Sequence, residues 1–246
     1  MADHAACSPS SAAMWMNCAA SITKSAGLTR PSSRYAREGT AAHRIAEMII
    51  AGNIFPPGKI TVEGEQFIVG IPMLRALNPY IAFVQNLQAQ TPDVRVEQRV
   101  RIGSGGLVWG TADCVARLDD TMIIADLKYG TGVPVAPDSA QLKIYALAAM
   151  DTLWPNVSFQ TVCLTIVQPR LDPVPKPHAL SAGELIDWGD AELQPAIKRI
   201  NKGDETETPG TYCRWCVRKT MCAAYKAVKV GVASDAFNDG VDTLNT

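Results

Sequence analysis

Gly110-Thr111-Ala112-Asp113-Cys114-Val115-Ala116-Arg117-Leu118-Asp119-Asp120-Thr121-Met122-Ile123-Ile124-Ala125-Asp126-Leu127-Lys128 carries the strongest structural signal in the chain. Two runs rich in apolar and β-branched residues flank Asp119-Asp120, which is the pattern of a hairpin. With Asp119 and Asp120 as a two-residue loop, or Leu118 to Thr121 as a four-residue one, Asp113 lies directly opposite Asp126. Their Cβ atoms would then be about 4.5 to 5.5 Å apart. The residues between them are largely apolar on both alternating faces, so the strands read as buried on both sides. Carboxylates at the end of such a hairpin are costly unless paired or bound to a metal. Partly hydrated carboxylate oxygens are what Mg²⁺ or Mn²⁺ selects. Lys128, two residues beyond Asp126, projects from the same face. A cation held by two acids beside a lysine can activate water against a phosphodiester. The plainer alternative is that both acids are polar strand ends with Lys128 as a solvated neighbour.

Upstream, Tyr35, Ala36, Ile45, Ala46, Ile49 and Ile50 recur at helical spacing over Ser33 to Ala51. His43 sits in that helix, and a lone histidine there is usually structural. Glu97, in Val94-Arg95-Val96-Glu97-Gln98-Arg99-Val100, either approaches the same acids or belongs to a solvated strand face. Downstream, a helix over Ser139 to Met150 places Gln141 and Tyr145 one turn apart on one face.

Taken in order, Gly39-Thr40-Ala41-Ala42-His43, Gly110-Thr111-Ala112-Asp113, Asp126-Leu127-Lys128 and Gln141-Leu142-Lys143-Ile144-Tyr145 resemble the RecB-type branch of the PD-(D/E)xK nucleases. The resemblance implies a restriction-endonuclease-like α/β core, a central mixed sheet flanked by helices. It implies that His43, Asp113 and Asp126 ligate Mg²⁺ or Mn²⁺, with the Leu127 carbonyl adding an oxygen. Lys128 would orient or activate the attacking water. Gln141 and Tyr145 match the family's QxxxY motif and would touch DNA or the active site.

A second constellation is Cys213-Arg214-Trp215-Cys216-Val217-Arg218-Lys219-Thr220-Met221-Cys222. Three thiols so close suggest a metal or cluster site. All-cysteine zinc sites usually draw on two short pairs, and no second pair follows, so a fourth ligand must come from afar. Cys114 and Cys163 read as buried small hydrophobes. Cys7 and Cys18 remain. One N-terminal cysteine plus three C-terminal ones is similar to the iron-sulfur nucleases of the AddB and CRISPR-associated type. Cys18, in Trp15-Met16-Asn17-Cys18, is the better match, with Cys7 as competitor. This resemblance implies a 4Fe-4S cluster on Cys18, Cys213, Cys216 and Cys222 that staples the N- and C-terminal regions together.

The 246 residues, 47% hydrophobic, suffice for one sizeable core. A single nuclease domain is expected over 1–229, with 1–52 and 203–229 forming the cluster-binding part and 230–246 a flexible tail. Seven cysteines without a charged-then-apolar leader read as a reducing cytosol rather than a secreted disulfide framework. No apolar run is long enough to span a membrane. The net charge of -1 argues neither for nor against nucleic acid. Its distribution is more telling. Lys24, Arg30, Arg34 and Arg37 cluster before His43, and eight basic residues lie between Lys198 and Lys229 against Asp204, Glu205 and Glu207. These stretches read as a DNA-binding surface or as solvated helix faces.

Other elements expected are a helix over Pro72 to Gln90, strands over Val94 to Ile102 and Phe159 to Gln168, and a helix over Ser181 to Asn201 opened by a Ser181-Ala182-Gly183-Glu184 capping box. Gly130 to Pro137 reads as a loop, and Pro169 to Pro177, with its prolines, as an irregular excursion lining the substrate channel. Gly52 to Asp93 carries no recognisable motif. The whole pattern resembles RecB-like proteins of bacteriophages and prophages, and this likeness implies the cytoplasm of a bacterial host cell. It implies a metal-dependent DNA nuclease, an exonuclease in the first instance, acting on single- or double-stranded ends in recombination, replication or processing. A phage recombination or single-strand-binding protein and a second copy of the chain are the protein partners that fit. The alternatives are a catalytically silent nucleic-acid-binding module of the same fold, or a zinc-stabilised structural or adaptor protein.

Overall fold

The computed structural model describes residues 5–29, 31–54 and 57–229. The tail expected over 230–246 and the basic Arg30 lie outside the described residues. In chain order the elements are α1 (Ala12–Trp15), α2 (Ala20–Thr23), α3 (Arg34–Ile50), β1 (Gly58–Val62), β2 (Glu65–Val69), α4 (Ile71–Gln90), β3 (Val94–Ile102), β4 (Val108–Leu118), β5 (Thr121–Leu127), α5 (Ala140–Leu153), β6 (Thr161–Gln168), β7 (Asp172–Ser181), α6 (Ala182–Trp188) and α7 (Gln194–Asn201). Where one domain is expected over 1–229, contacts group the chain into two compact units. The first takes 1–10 and 31–189, and the second takes 11–30 and 190–246. No helix among the described residues is long and apolar enough to cross a membrane.

The first unit is built on a mixed five-stranded sheet in the order β3-β4-β5-β6-β7, with β5 and β6 parallel and the other neighbours antiparallel. The β4–β5 hairpin turns at Asp119-Asp120 as expected, with Leu118 paired to Thr121 and Cys114 to Ala125. Asp119 adopts a positive φ of 53°, which aspartate tolerates better than most residues. One face of the sheet packs on α3 and α4 through Cys114, Ala116, Ile123, Ala125 and Leu127 against Ala42, Ile45, Leu77 and Val84. The other packs on α5 and α6 through Val115, Met122, Ile124, Val162 and Leu164 against Leu142, Ala146 and Leu185. Strands buried on both faces read as near-continuous apolar runs, and this explains why β5 and β6 lack alternation.

The outer ribbon β3–β4 changes faces partway along. Val94, Val96, Cys114 and Ala116 pack on the α3/α4 side, yet Val100, Ile102 and Ala112, of the same parity, pack on the α5 side. Regular strands keep one parity per face. The switch therefore falls between Val96 and Val100 on β3 and at Asp113 on β4. Glu97 lies in that interval with a positive φ of 49°. Register is preserved across it, since Val96 pairs with Cys114 and Gln98 with Ala112.

Two sequence expectations need correction, and one stretch without an expectation is resolved. Pro169 to Pro177 is no irregular excursion, because most of it is strand β7 at the sheet edge, paired from Asp172 opposite Gln168 to Ser181 opposite Thr161. Pro177 pairs with Thr165 on this edge strand, and the register shifts opposite Ile166 to Gln168, where Pro173 and Pro175 lie; sheet edges and bulges are the places that tolerate proline. Within the motif-free stretch, β1 and β2 form a hairpin. Its turn residues, Glu63 and Gly64, both have positive φ, the requirement of a tight type I′ turn. Finally, the helix expected over Ser181 to Asn201 is interrupted by a π-helical turn at Gly189–Leu193. Its capping box forms as expected, with Ser181 Oγ accepting from the Glu184 N–H at 3.1 Å and Glu184 Oε2 accepting from the Ser181 N–H at 2.7 Å.

Candidate metal centre

His43 rides on α3, whose Ala42, Ile45 and Ala46 are buried in the core and so fix the helix rotation. The imidazole emerges beside the ribbon switch, with Nδ1 3.4 Å from Asp113 Oδ1 and 3.7 Å from Glu97 Oε1. Gly39 lies one turn earlier, the turn over which a helical side chain leans. Nothing stands within 4 Å of where a Gly39 side chain would begin, so the approach to His43 is open. Among the described residues, His43, Glu97 and Asp113 offer ligand atoms that all lie within 4.8 Å of one another. Glu97, which the sequence leaves open between the cluster and a solvated face, belongs to this group.

Asp113 and Asp126 are both buried. The ladder ends at Cys114 and Ala125, one pair short of the two acids. Asp113 Oδ2 instead accepts the Leu127 N–H at 2.7 Å. Asp126 Oδ1 accepts from Gln141 Nε2 at 2.8 Å, and Lys128 Nζ donates to Gln141 Oε1 at 3.2 Å. Asp126 Oδ2 has no hydrogen bond of good geometry, although the Lys128 ammonium stands 2.7 Å away. A buried carboxylate oxygen left in this state suits a cation. The expected ligands are thus arranged as two adjoining groups. His43, Glu97 and Asp113 form one, Asp126 with Lys128 and Gln141 the other, and the Asp113–Leu127 bond joins them.

The electrostatics follow from this burial. Desolvation alone would lower the His43 pKa, but the Asp113 carboxylate, by charge and hydrogen bond, and Glu97 outweigh it and raise it well above its usual value. Asp113 experiences the converse. Burial pushes its pKa up, and His43, Lys128 and the Leu127 N–H bring it below the ordinary carboxylate value. For Asp126 burial wins, and with Asp113 nearby its pKa rises to about 6 despite Lys128. Opposed carboxylate shifts in one buried cluster are typical of functional sites. A divalent cation would replace the imidazole proton and relieve the repulsion between the acids.

Tyr145, on α5 one turn from Gln141, is buried. Gly110 is required beside it, since a Cβ there would come within 3.1 Å of Tyr145 Cε1 and 2.9 Å of Pro9 Cδ. The structure therefore brings Gln141 to the acids, with Tyr145 buried one helical turn away.

In the second unit, Cys18, Cys213, Cys216 and Cys222 line one recess, together with Glu207, Arg218 and Lys219. Three of the sulfurs accept backbone N–H bonds: Cys18 from Thr208 at 3.5 Å, Cys213 from Gly210 at 3.3 Å and Cys222 from Tyr225 at 3.4 Å. The Cys222 thiol also donates to Glu207 Oε2 at 3.3 Å. The two ends of the unit are joined by Thr23 Oγ1 donating to Asp204 O at 2.8 Å and Arg199 donating to Met16 O. The competitor Cys7 falls in the first unit, where it is fully buried and its thiol pKa is pushed to about 12 by desolvation. Cys114 is buried as expected. Part of the basic surface is neutralised, because Arg34 and Arg37 pair with Glu65, Lys24 with Glu205 and Glu207, and Arg218 with Glu207.

A family model described as "Protein of unknown function (DUF2800)" matches residues 4–245. A solved structure described as "Crystal structure of SSO0001" is similar at 11% sequence identity and a TM-score of 0.40, over 89% of this chain and 86% of that one. That likeness is too loose to carry a shared fold.

Proposed function

We propose that this chain, which belongs to the DUF2800 family, is a divalent-metal-dependent DNA nuclease, and an exonuclease in particular. The observation that carries the reading is the convergence of His43, Glu97 and Asp113 next to buried Asp126, Lys128 and Gln141. His43, Glu97, Asp113 and Asp126, with the Leu127 carbonyl, would hold Mg²⁺ or Mn²⁺. The cation supplies Lewis-acid stabilisation of the phosphate and a more acidic water. Lys128, held between Asp126 and Gln141, orients the attacking water and balances phosphate charge. Gln141 keeps both partners in place. Of the two alternatives, the silent binding module leaves this concentration of buried charge without a role.

The cysteine recess directs backbone N–H groups at three sulfurs, contacts that tune a thiolate-held group when one is bound; at Cys222 burial and the Glu207 carboxylate raise the thiol pKa. A single tetrahedral zinc with Zn–S of about 2.3 Å would draw its sulfurs to about 3.8 Å apart. Among the described residues no three thiols come within 4.8 Å of one another. The assignment of a 4Fe-4S cluster to Cys18, Cys213, Cys216 and Cys222 rests on the four cysteines lining one recess.

The test is to incubate anaerobically purified protein with end-labelled single- and double-stranded DNA in Mg²⁺, Mn²⁺ or EDTA. Release of labelled nucleotides with either cation and none in EDTA supports the reading. Intact label in every condition refutes it.

A further inference from the structure

We infer that the outer half of the β3–β4 ribbon carries a stacking platform for the bases of a single DNA strand, made by Trp109 and Arg99 with Arg101 beside them. The inference rests on the nuclease reading and adds the path by which a strand would reach the metal centre. Arg101 pairs with Trp109 and Arg99 with Thr111, and the register continues toward Glu97 and Asp113. Beyond the face switch, Val100, Ile102 and Ala112 turn to the α5 core. Their odd-numbered neighbours Arg99, Arg101, Trp109 and Thr111 therefore look to the opposite side, where His43 stands. Trp109 is four residues from Asp113, which at about 3.3 Å per residue puts it about 13 Å along the ribbon.

Trp109 belongs to neither of the two large core clusters. It lines an open cleft of about 610 Å³ whose walls include Ala5, Ala6, Arg101 and Thr152. The Arg99 guanidinium lies over the indole at 3.8 Å from the ring centroid. The neighbouring tip, Gly103 to Gly106, contains three glycines, and among the described residues nothing stands within 4 Å of where their side chains would begin. No bulky tip residue therefore fills that space.

The cleft is poorly suited to an added protein strand. Thr152 Oγ1 already accepts the Arg101 N–H at 2.9 Å and donates to the Arg101 carbonyl at 3.0 Å, and Asp151 Oδ2 accepts the Gly103 N–H at 2.6 Å. What the ribbon presents there is the Trp109 ring with the Arg99 guanidinium stacked on it, beside exposed Arg101. Aromatic faces flanked by positive charge bind single strands by base stacking, and arginine adds to it. Stacking tolerates any sequence, which suits an enzyme that processes DNA ends.

The test is the anisotropy of a fluorescein-labelled oligothymidine titrated with the full chain in EDTA, so that binding is read without cleavage. Trp109→Ala should weaken binding about tenfold or more, Trp109→Phe should restore most of it, and affinity for a blunt duplex should hardly change. Arg101→Ala should reduce the salt dependence by about 0.7 in log–log slope, the share of one phosphate contact on a single strand. Equal oligothymidine affinity for wild type and a folded Trp109→Ala protein would overturn the platform, as would a loss in Trp109→Phe as large as in Trp109→Ala. If Trp109→Ala does not fold, an unchanged salt slope in Arg101→Ala together with unchanged affinity in Trp109→Phe overturns it. Wild-type protein that binds through Trp109 yet cuts nothing in Mn²⁺ would refute the nuclease reading alone. Cleavage with no contribution from Trp109 or Arg101 would refute the platform alone.

Discussion

The backbone N–H of Leu127 donates to Asp113 Oδ2 at 2.7 Å, so a side chain of β4 takes the place of a ladder bond to β5. This bond locks one acid of the candidate centre to the strand that carries the other acid and Lys128. It also makes the fold sensitive to what stands at position 113. Asp113→Asn keeps an acceptor for the Leu127 N–H and should lose cleavage while melting close to wild type. Asp113→Ala leaves that buried N–H unpaired and should cost about 1 to 3 kcal/mol as well. Thermal melts of the two variants check this, and identical melting temperatures would deny the bond its role.

Gln141 touches both Asp126 and Lys128. Gln141→Ala should leave the fold intact and lower metal affinity or turnover by about 10- to 100-fold, as expected when a partner of the ligands is lost. Titration with Mn²⁺ followed by electron paramagnetic resonance, alongside initial cleavage rates, measures both.

Glu97 and His43 should behave as ligands. Glu97→Gln and His43→Ala are each expected to weaken Mn²⁺ binding in the same titration, while Lys128→Ala lowers turnover and retains the cation. A Glu97→Gln protein that binds Mn²⁺ as wild type does would remove Glu97 from the centre.

Cys18→Ser, Cys213→Ser, Cys216→Ser and Cys222→Ser should each yield protein with less iron, weaker visible absorbance and a lower melting temperature. Cys7→Ser should keep its iron. Because Cys7 is fully buried, the new hydroxyl should still cost about 1 to 3 kcal/mol of stability. Iron and zinc analysis separates the two cysteines, and one tightly held zinc with no iron would replace the cluster assignment.

The α6 capping box gives a pH signature. Glu184 has its pKa lowered by the Ser181 N–H and hydroxyl. A lowered folded-state pKa contributes stability above the unfolded carboxylate value, and that contribution is lost as pH falls through the folded one. Glu184→Gln should therefore melt earlier than wild type at pH 7, and the gap should close in acid. Ser181→Ala, which removes the cap, should cost about 1 kcal/mol at neutral pH.

Much of the site was legible because its residues lie in strongly patterned elements. The Asp119-Asp120 turn between apolar runs sets the register, and Gln141 and Tyr145 fall on one helix face. Glu97 was harder to place, since Val94-Arg95-Val96-Glu97 alternates like an ordinary strand and a face switch has no plain sequence signature. The weak clue is Gln98, a polar residue at an otherwise apolar parity. Strand β7 was hidden by its prolines, which a sheet tolerates at an edge and at a register shift, and β7 has both. The β1–β2 hairpin was hidden because Gly58 to Ile60 is largely exposed and its turn is Glu63-Gly64 rather than Asn-Gly.

The most direct test compares release of end label by wild type and Asp126→Asn in Mn²⁺, with circular dichroism confirming that both are folded. Asp126 is the buried acid whose Oδ2 lacks a hydrogen bond of good geometry, so its neutral isostere should keep the fold and lose the reaction. Steady release by wild type and at least a hundredfold slower release by Asp126→Asn are expected, on the scale of removing one preorganised catalytic group. Equal rates in the two proteins, or no release by wild type, would contradict the nuclease reading.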